Sequence, residues 1–79
     1  MSRAMNSERI KRLNLLLKVM RENQYIARDE LIVKCGYVSP RTLESDLRFM
    51  REAFGAKIHY SRSRNGYFLE DTGEFMLWQ

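Results

Sequence analysis

The chain has 79 residues, of which 44% are hydrophobic and 30% are charged, a composition that fits one small globular domain and excludes a collagen-like, low-complexity or wholly disordered chain. Its single cysteine excludes an internal disulfide framework, and its longest apolar runs are far shorter than the roughly 20 residues that cross a bilayer. Fourteen Lys and Arg residues outnumber ten Asp and Glu residues, which leaves a net charge of +4.

The first predicted element is a helix over residues 7–22. Apolar side chains recur there at the spacing of one helix face, and these are Ile10, Leu13, Leu16, Leu17 and Met20. Asn6 or Ser7 can cap the N-terminus of this helix. Tyr25 and Ile26 then form a short extended link to the next element.

A second, shorter helix is predicted from Ala27 or Arg28 to Cys35. Gly36 follows, as is typical of the left-handed residue that ends a helix. Ala27 occupies the position where a serine or threonine would cap the helix and pair with Glu30, so the start signal is weak. Cys35 at the helix end is interpreted as a small core residue.

The third predicted helix has the clearest start signal. Ser39 is a good N-cap and Pro40 suits the first helical position, and Gly55 ends the helix. Its apolar stripe follows the helical spacing and consists of Leu43, Leu47, Met50 and Phe54. The opposite face carries Arg41, Ser45, Arg48 and Glu52. Only residues 36–38 separate this helix from the second one, which is a tight helix-turn-helix spacing.

Two short strands are predicted after the third helix. Residues 57–61 alternate polar and apolar side chains, and residues 67–70 are rich in aromatic side chains. Asn65 is followed by glycine, and an Asn-Gly pair between two such runs is a strong β-hairpin signal. The hairpin tip carries Arg62 and Arg64, which are either solubilising charges or contacts to a ligand.

Residues 71–79 form a separate segment, with a turn followed by the apolar run F-M-L-W at residues 75–78. A free tail of this kind would expose a contiguous apolar patch. We expect it to pack on the first helix of the domain or on a second copy; otherwise it is the start of a linker to an absent domain. The three helices and the hairpin before it predict a mainly α fold, a winged helix-turn-helix domain over residues 1–70.

Three motifs in this arrangement resemble a known family. Residues 38–47, V-S-P-R-T-L-E-S-D-L, are similar to the "V-S-x-R-T-I-x-R-D-I" signature in the N-terminal DNA-binding domains of WYL-domain transcriptional regulators, with related forms in deoxyribonucleoside-repressor (DeoR-type) and biotin-repressor winged helices. Residues 65–69 resemble the "G-G-Y-x-L" of the wing, and residues 55–58 resemble the "G-x-P-I" that leads into it. The resemblance covers residues 7–70.

The resemblance implies an operator-binding protein that acts as a homodimer and is usually followed by a C-terminal sensor domain for a ligand. The family places recognition-helix contacts at the positions that match Ser39, Arg41, Thr42 and Ser45. Ser45 replaces the usual arginine, which shifts the contacts toward Arg48 and the wing. The turn also has an extra residue, G-Y-V-S in place of "G-V-S", which could tilt the recognition helix.

The distribution of charge along the chain also favours DNA as the partner. Residues 1–69 carry fourteen positive and seven negative charges, and ten of the cations are arginine, whose planar donors suit phosphates and guanine edges. We therefore expect sequence-specific binding of double-stranded DNA by a bacterial-type transcriptional regulator, with a recognition helix at about residues 39–54 in the major groove and the wing tip, residues 62–66, on the backbone or minor groove. The candidate contacts are Ser39, Arg41, Thr42, Ser45, Arg48, Arg62, Arg64 and Asn65.

The alternative is a winged helix that binds other proteins and does not bind DNA. Such a module needs no basic residues on the third helix and wing, whereas this chain has Arg41, Arg48, Arg51, Arg62 and Arg64 there. Acidic proteins and membrane surfaces can also attract a basic domain.

Catalytic and cofactor-binding patterns are missing from the sequence. There is no Ser/His/Asp set and no phosphate-binding loop, and His59 has no Cys or His at metal-ligand spacing, so we expect neither an enzyme nor a cofactor. Asp46 is interpreted as structural, paired with an arginine of the first or second helix. Because no signal peptide precedes the domain and the cysteine is single, we expect a cytoplasmic protein without a membrane partner.

Overall fold

Three α-helices, an antiparallel pair of strands and a final 3-10 helix make up the computed structural model, which describes the backbone of residues 7–78 and the side chains of residues 8–75. In chain order the elements are α1 (Ser7–Glu22), α2 (Arg28–Cys35), α3 (Pro40–Phe54), β1 (Lys57–Ser61), β2 (Gly66–Asp71) and the 3-10 helix (Gly73–Trp78). The predicted mainly α fold with a β-hairpin is confirmed, and the arrangement is consistent with a winged helix-turn-helix. No helix in the described part of the chain is long and apolar enough to span a membrane.

The buried face of α1 differs from the predicted one at its N-terminal end. The buried side chains of this helix are Leu13, Leu16, Leu17, Val19 and Met20. Ile10 was predicted to join them but is 36% exposed. An arginine covers the core at this end, since the Arg9 guanidinium lies 4.0 Å from the centre of the Phe49 ring. The helix cap predicted at Asn6 or Ser7 falls outside the described side chains.

The turn between α2 and α3 brings a buried side chain into the core. Gly36 ends α2 in the left-handed conformation, with φ +73°, as predicted. The next N–H, of Tyr37, donates to the carbonyl of Ile32 at 2.9 Å, and the Tyr37 ring is buried. Cys35 is buried as well, which confirms its interpretation as a core residue, and burial raises the pKa of its thiol to about 11.

The bounds of α3 follow from its caps. The Ser39 hydroxyl accepts a hydrogen bond from the Thr42 N–H at 3.3 Å, and Pro40 occupies the first turn. Gly55 ends the helix in the left-handed conformation. The four side chains of the predicted stripe, Leu43, Leu47, Met50 and Phe54, are all buried in the core. The start, the end and the buried face of this helix are therefore confirmed.

The hairpin has a longer loop than the shortest turn that an Asn-Gly pair can make. Ser61 pairs with Gly66 across the antiparallel strands, so the loop holds the four residues 62–65. Asn65 has φ +55°, and its N–H donates to the Arg62 carbonyl at 3.3 Å. Asn65 therefore supplies the left-handed residue that completes the loop, and Gly66 is already the first residue of β2.

The link between α1 and α2 adds a short extended segment to the hairpin. The Ile26 N–H donates to the Tyr67 carbonyl at 3.0 Å, and the Tyr67 N–H donates to the Ile26 carbonyl at 2.8 Å. A Cβ on Gly66 would lie 2.9 Å from the Ile26 nitrogen, so this approach of the two backbones requires glycine. The bridge holds the loop end of the hairpin against the link between α1 and α2.

The segment after β2 returns to α3. Phe75 is 1% exposed, and its ring centre lies 5.0 Å from that of Phe54. Gly73, with φ +67°, lies so close to the end of α3 that a Cβ there would overlap the Phe54 carbonyl oxygen. The structure places Phe75 on α3, where the prediction named the first helix or a second copy, because the left-handed turn at Gly73 directs the chain against the C-terminus of α3. The side chains at positions 76–78 fall outside the description.

Candidate nucleic-acid interface

A buried carboxylate fixes the orientation of α3. Asp46 is 1% exposed and accepts hydrogen bonds from the Arg12 Nε at 2.9 Å, the Arg12 Nη2 at 3.2 Å and the Tyr37 hydroxyl at 2.8 Å. The Arg9 guanidinium adds an ion pair at 3.5 Å. The hydrogen bond to Asp46 raises the pKa of Arg12 above its ordinary value. The predicted pairing of Asp46 with an arginine of the first or second helix is confirmed. Its partners, Arg9 and Arg12, belong to α1, so the pairing ties α3 to α1 by side chains on the inner face.

Tyr37 connects the same carboxylate to the turn. It lies in the turn between α2 and α3, and its side chain is buried. Burial, followed by the hydrogen bond to Asp46, raises the pKa of the Tyr37 hydroxyl well above its usual range. The hydroxyl therefore stays protonated and donates to Asp46, which fixes the rotation of α3 at its N-terminal end.

The outer face of α3 is left to solvent. Arg41, Ser45 and Arg48 are exposed, as their spacing predicts, and Thr42 is half-buried. Ser39 is half-buried too, and its hydroxyl is already held by Thr42, with the backbone N–H and the side-chain oxygen both at 3.3 Å. Arg41 and Arg48 therefore point into solvent, whereas the Ser39 and Thr42 hydroxyls contact each other at the N-terminus of α3.

The wing tip carries the remaining predicted contact residues. Arg62, Arg64 and Asn65 are all exposed. The guanidinium of Arg64 lies 5.1 Å from the centre of the Tyr25 ring, and its backbone N–H donates to the Ser61 hydroxyl at 3.2 Å. The loop conformation and this ring contact hold the tip in one shape on top of the sheet.

A side-chain pair fixes the wing relative to α3. The Tyr67 hydroxyl donates to a Glu44 carboxylate oxygen at 3.1 Å. Partial burial and the charge of Glu44 raise the pKa of Tyr67, so the hydroxyl remains a donor at neutral pH. The cations of the wing and those of α3 are therefore presented at a fixed mutual position.

Arg28 is a basic residue of this surface that sequence reasoning missed. It lines a depression with Ser39, Pro40, Arg41 and Glu44, and its guanidinium pairs with the Glu44 carboxylate at 3.5 Å. The same residue lines a second depression, on the wing side, together with Ala27, Asp29, Tyr60, Asn65 and Tyr67. Arg28 therefore lies between the start of α3 and the wing. The sequence signal that could have identified Arg28 is its position as the first residue of α2, the helix that precedes the turn to α3.

Arg51 has a different role from the other arginines of α3. Its Nε donates to the Ile58 carbonyl at 3.0 Å, which joins α3 to β1. Sequence reasoning had counted Arg51 among the five cations that distinguish a DNA binder from a protein-binding module. The structure leaves Arg41, Arg48, Arg62 and Arg64 in that group and adds Arg28, whose charge is paired with that of Glu44.

Comparison of the chain with protein-family models, with curated proteins and with solved structures finds no match. Within the described residues, no group of three or more His, Cys, Asp or Glu side chains is placed to hold a metal ion. The chemistry that this surface offers is that of its exposed arginines, a type of side chain whose planar donors suit phosphates and the hydrogen-bonding edges of bases.

Proposed function

We propose that this domain binds double-stranded DNA sequence-specifically, as the DNA-binding part of a bacterial-type transcriptional regulator of the WYL kind. The observation that carries the proposal is the outward face of α3, where Arg41 and Arg48 are exposed on a helix whose inner face is locked by Asp46. A helix held in this way can enter the major groove, which is about 12 Å wide, without reorganising its own core. The role is one of binding, and no catalytic step is part of it.

The surrounding cations supply contacts to the backbone. Arg28 lies beside the start of α3, and Arg62 and Arg64 lie at the wing tip. Phosphate contacts from such positions set the register of the protein on the duplex, while base contacts from α3 supply the specificity. The proposal assigns Arg28 and the wing to phosphates or the minor groove, and Arg41, Ser45 and Arg48 to the major groove.

The proposal of a homodimer follows from the small number of base pairs that one domain can contact. One recognition helix reads only a few base pairs, and regulators of this kind read two half-sites about one helical turn apart by binding as dimers. The proposal therefore includes a homodimer on DNA and, in a longer native chain, a C-terminal sensor domain. It also places the protein in the cytoplasm, where its DNA target lies.

Replacing Arg41 by alanine should weaken binding to a selected operator by about 1–3 kcal/mol if Arg41 contacts a base. The fold should be retained, because Arg41 is exposed and faces away from the core. Fluorescence anisotropy with an operator chosen from randomised duplexes measures the change. Arg21→Ala is the matched control, since Arg21 is also exposed but lies on α1. Equal affinities for the wild type and the Arg41 variant would show that the assigned face is wrong.

Replacing Arg62 and Arg64 together should weaken binding to all duplexes alike. Each lost phosphate contact should reduce the slope of log affinity against log salt by about 0.9. The measurement compares the double alanine variant with the wild type on specific and unrelated duplexes at several salt concentrations. An altered sequence preference with an unchanged slope would instead place these two arginines on base edges.

A further inference from the structure

The turn before α3 carries an apolar side chain with an unusually high exposed fraction. Val38 is 95% exposed, more than any other large apolar side chain among the described residues. The next is Val33 on α2, at 78%. A single exposed valine needs no explanation on most surfaces, but this one immediately precedes the N-cap of the helix that carries Arg41 and Arg48.

The exposure of Val38 follows from the residue before it. Tyr37 fills the core position of the turn and is held there by its N–H bond to Ile32 and its hydroxyl bond to Asp46. Ser39 then has an extended backbone, with φ −153° and ψ 152°, and its side chain turns back toward Thr42. The Tyr37 side chain is buried in the core and the Ser39 side chain caps α3. The Val38 side chain between them therefore projects from the turn into solvent.

Most of the side chains that follow Val38 on this surface are hydrogen-bonding groups, and Pro40 is the apolar one among residues 39–42. Ser39 and Arg41 can recognise phosphates and the polar edges of bases, whereas Thr42 adds one methyl group but is half-buried beside the helix cap. The C5-methyl group of thymine is the apolar feature of the major groove, and small apolar side chains contact it. Valine has two methyl groups at the correct size for such a contact, at the end of α3 that enters the groove first.

We propose that Val38 is a specificity-determining residue that packs against a thymine methyl group in the major groove. The inference rests on the proposed function, since it requires the N-terminus of α3 to lie in the groove. It adds a contact of a different chemical kind to the arginine contacts. It also links the turn to DNA recognition, because burial of the Tyr37 side chain leaves the Val38 side chain exposed and able to contact the DNA.

The test combines a protein substitution with removal of the methyl group from the DNA. Each thymine of a selected operator is replaced in turn by deoxyuridine, which differs only in lacking that methyl. At one thymine in each half-site the replacement should weaken binding of the wild type about fourfold, the effect of burying one group the size of a methylene. The same replacement should have a smaller effect on Val38→Ala, because alanine keeps only one of the carbon atoms that contact the thymine methyl group. Val33→Ala is the control, and it should respond to deoxyuridine as the wild type does.

The outcomes separate the inference from the proposed function. Deoxyuridine effects that are equal in the wild type and in Val38→Ala at every thymine overturn the role of Val38 while leaving DNA binding intact. Uniform weakening by Val38→Ala on all sequences places Val38 on the sugar-phosphate backbone and also overturns the inference. Absence of salt-dependent binding to any duplex overturns the proposed function, and the inference falls with it. Because Val38 is almost fully exposed, its truncation should leave the melting temperature unchanged.

Discussion

Phe75→Ala is expected to lower the free energy of unfolding by about 3–5 kcal/mol, the usual cost of truncating a fully buried phenylalanine. Phe75 is 1% exposed, and its ring packs edge to face on Phe54 at the end of α3. A domain of this length has a total stability of about 4–12 kcal/mol, from about 0.05–0.15 kcal/mol per residue. The variant should therefore unfold at urea concentrations at which the wild type is still folded. Urea titration followed by circular dichroism measures the difference.

A graded series sharpens this test. Phe75→Leu keeps most of the buried volume and should cost less than Phe75→Ala. Leu15→Ala is a useful comparison, because Leu15 is 39% exposed and its truncation should have a small effect. If all three variants melt with the wild type, the segment after β2 does not pack on α3 in solution.

Asp46→Ala is expected to destabilise the domain by about 2–4 kcal/mol. It removes the acceptor of the buried Tyr37 hydroxyl, and an unsatisfied buried donor costs about 1–3 kcal/mol. It also removes the ion pair with Arg12, but the Arg12 side chain is 39% exposed and regains water, which limits that part of the loss. The effect should appear as a lower urea midpoint.

Tyr37→Phe separates the parts of the Asp46 network. It deletes only the hydroxyl and leaves the carboxylate paired with Arg12, so it should cost about 1–2 kcal/mol, less than Asp46→Ala. A stability of Asp46→Ala equal to that of the wild type would contradict the assignment of Asp46 as the anchor of α3. Neither substitution touches the outer face of that helix, so loss of DNA binding without loss of stability would also contradict it.

The sequence predicted best those features that are decided within a few residues. The bounds of α3 follow from Ser39, Pro40 and Gly55, each of which acts on the backbone of its own neighbours. The exposure of Arg41 and Arg48 follows from helical spacing relative to Leu43 and Leu47. The helix caps and the helical spacing predict the observed structure because the tertiary packing favours the same conformation as these local preferences.

The features that the sequence predicted poorly depend on contacts between distant residues. Ile10 has helical spacing for the core, but whether it is covered depends on where Arg9 and Phe49 meet. The bond from Arg51 to a carbonyl of β1 joins residues that no local pattern connects. The position of Arg28 between α3 and the wing likewise appears only once the hairpin is folded back on the helices.

The dependence of wild-type DNA affinity on salt concentration tests the central claim most directly. If Arg28, Arg62 and Arg64 each contact one phosphate, log affinity should fall against log salt with a slope of about −2.7 for each bound protomer. The affinity for a selected operator should also exceed that for unrelated duplexes. A slope near zero, or equal affinity for every duplex at all salt concentrations, would contradict the account.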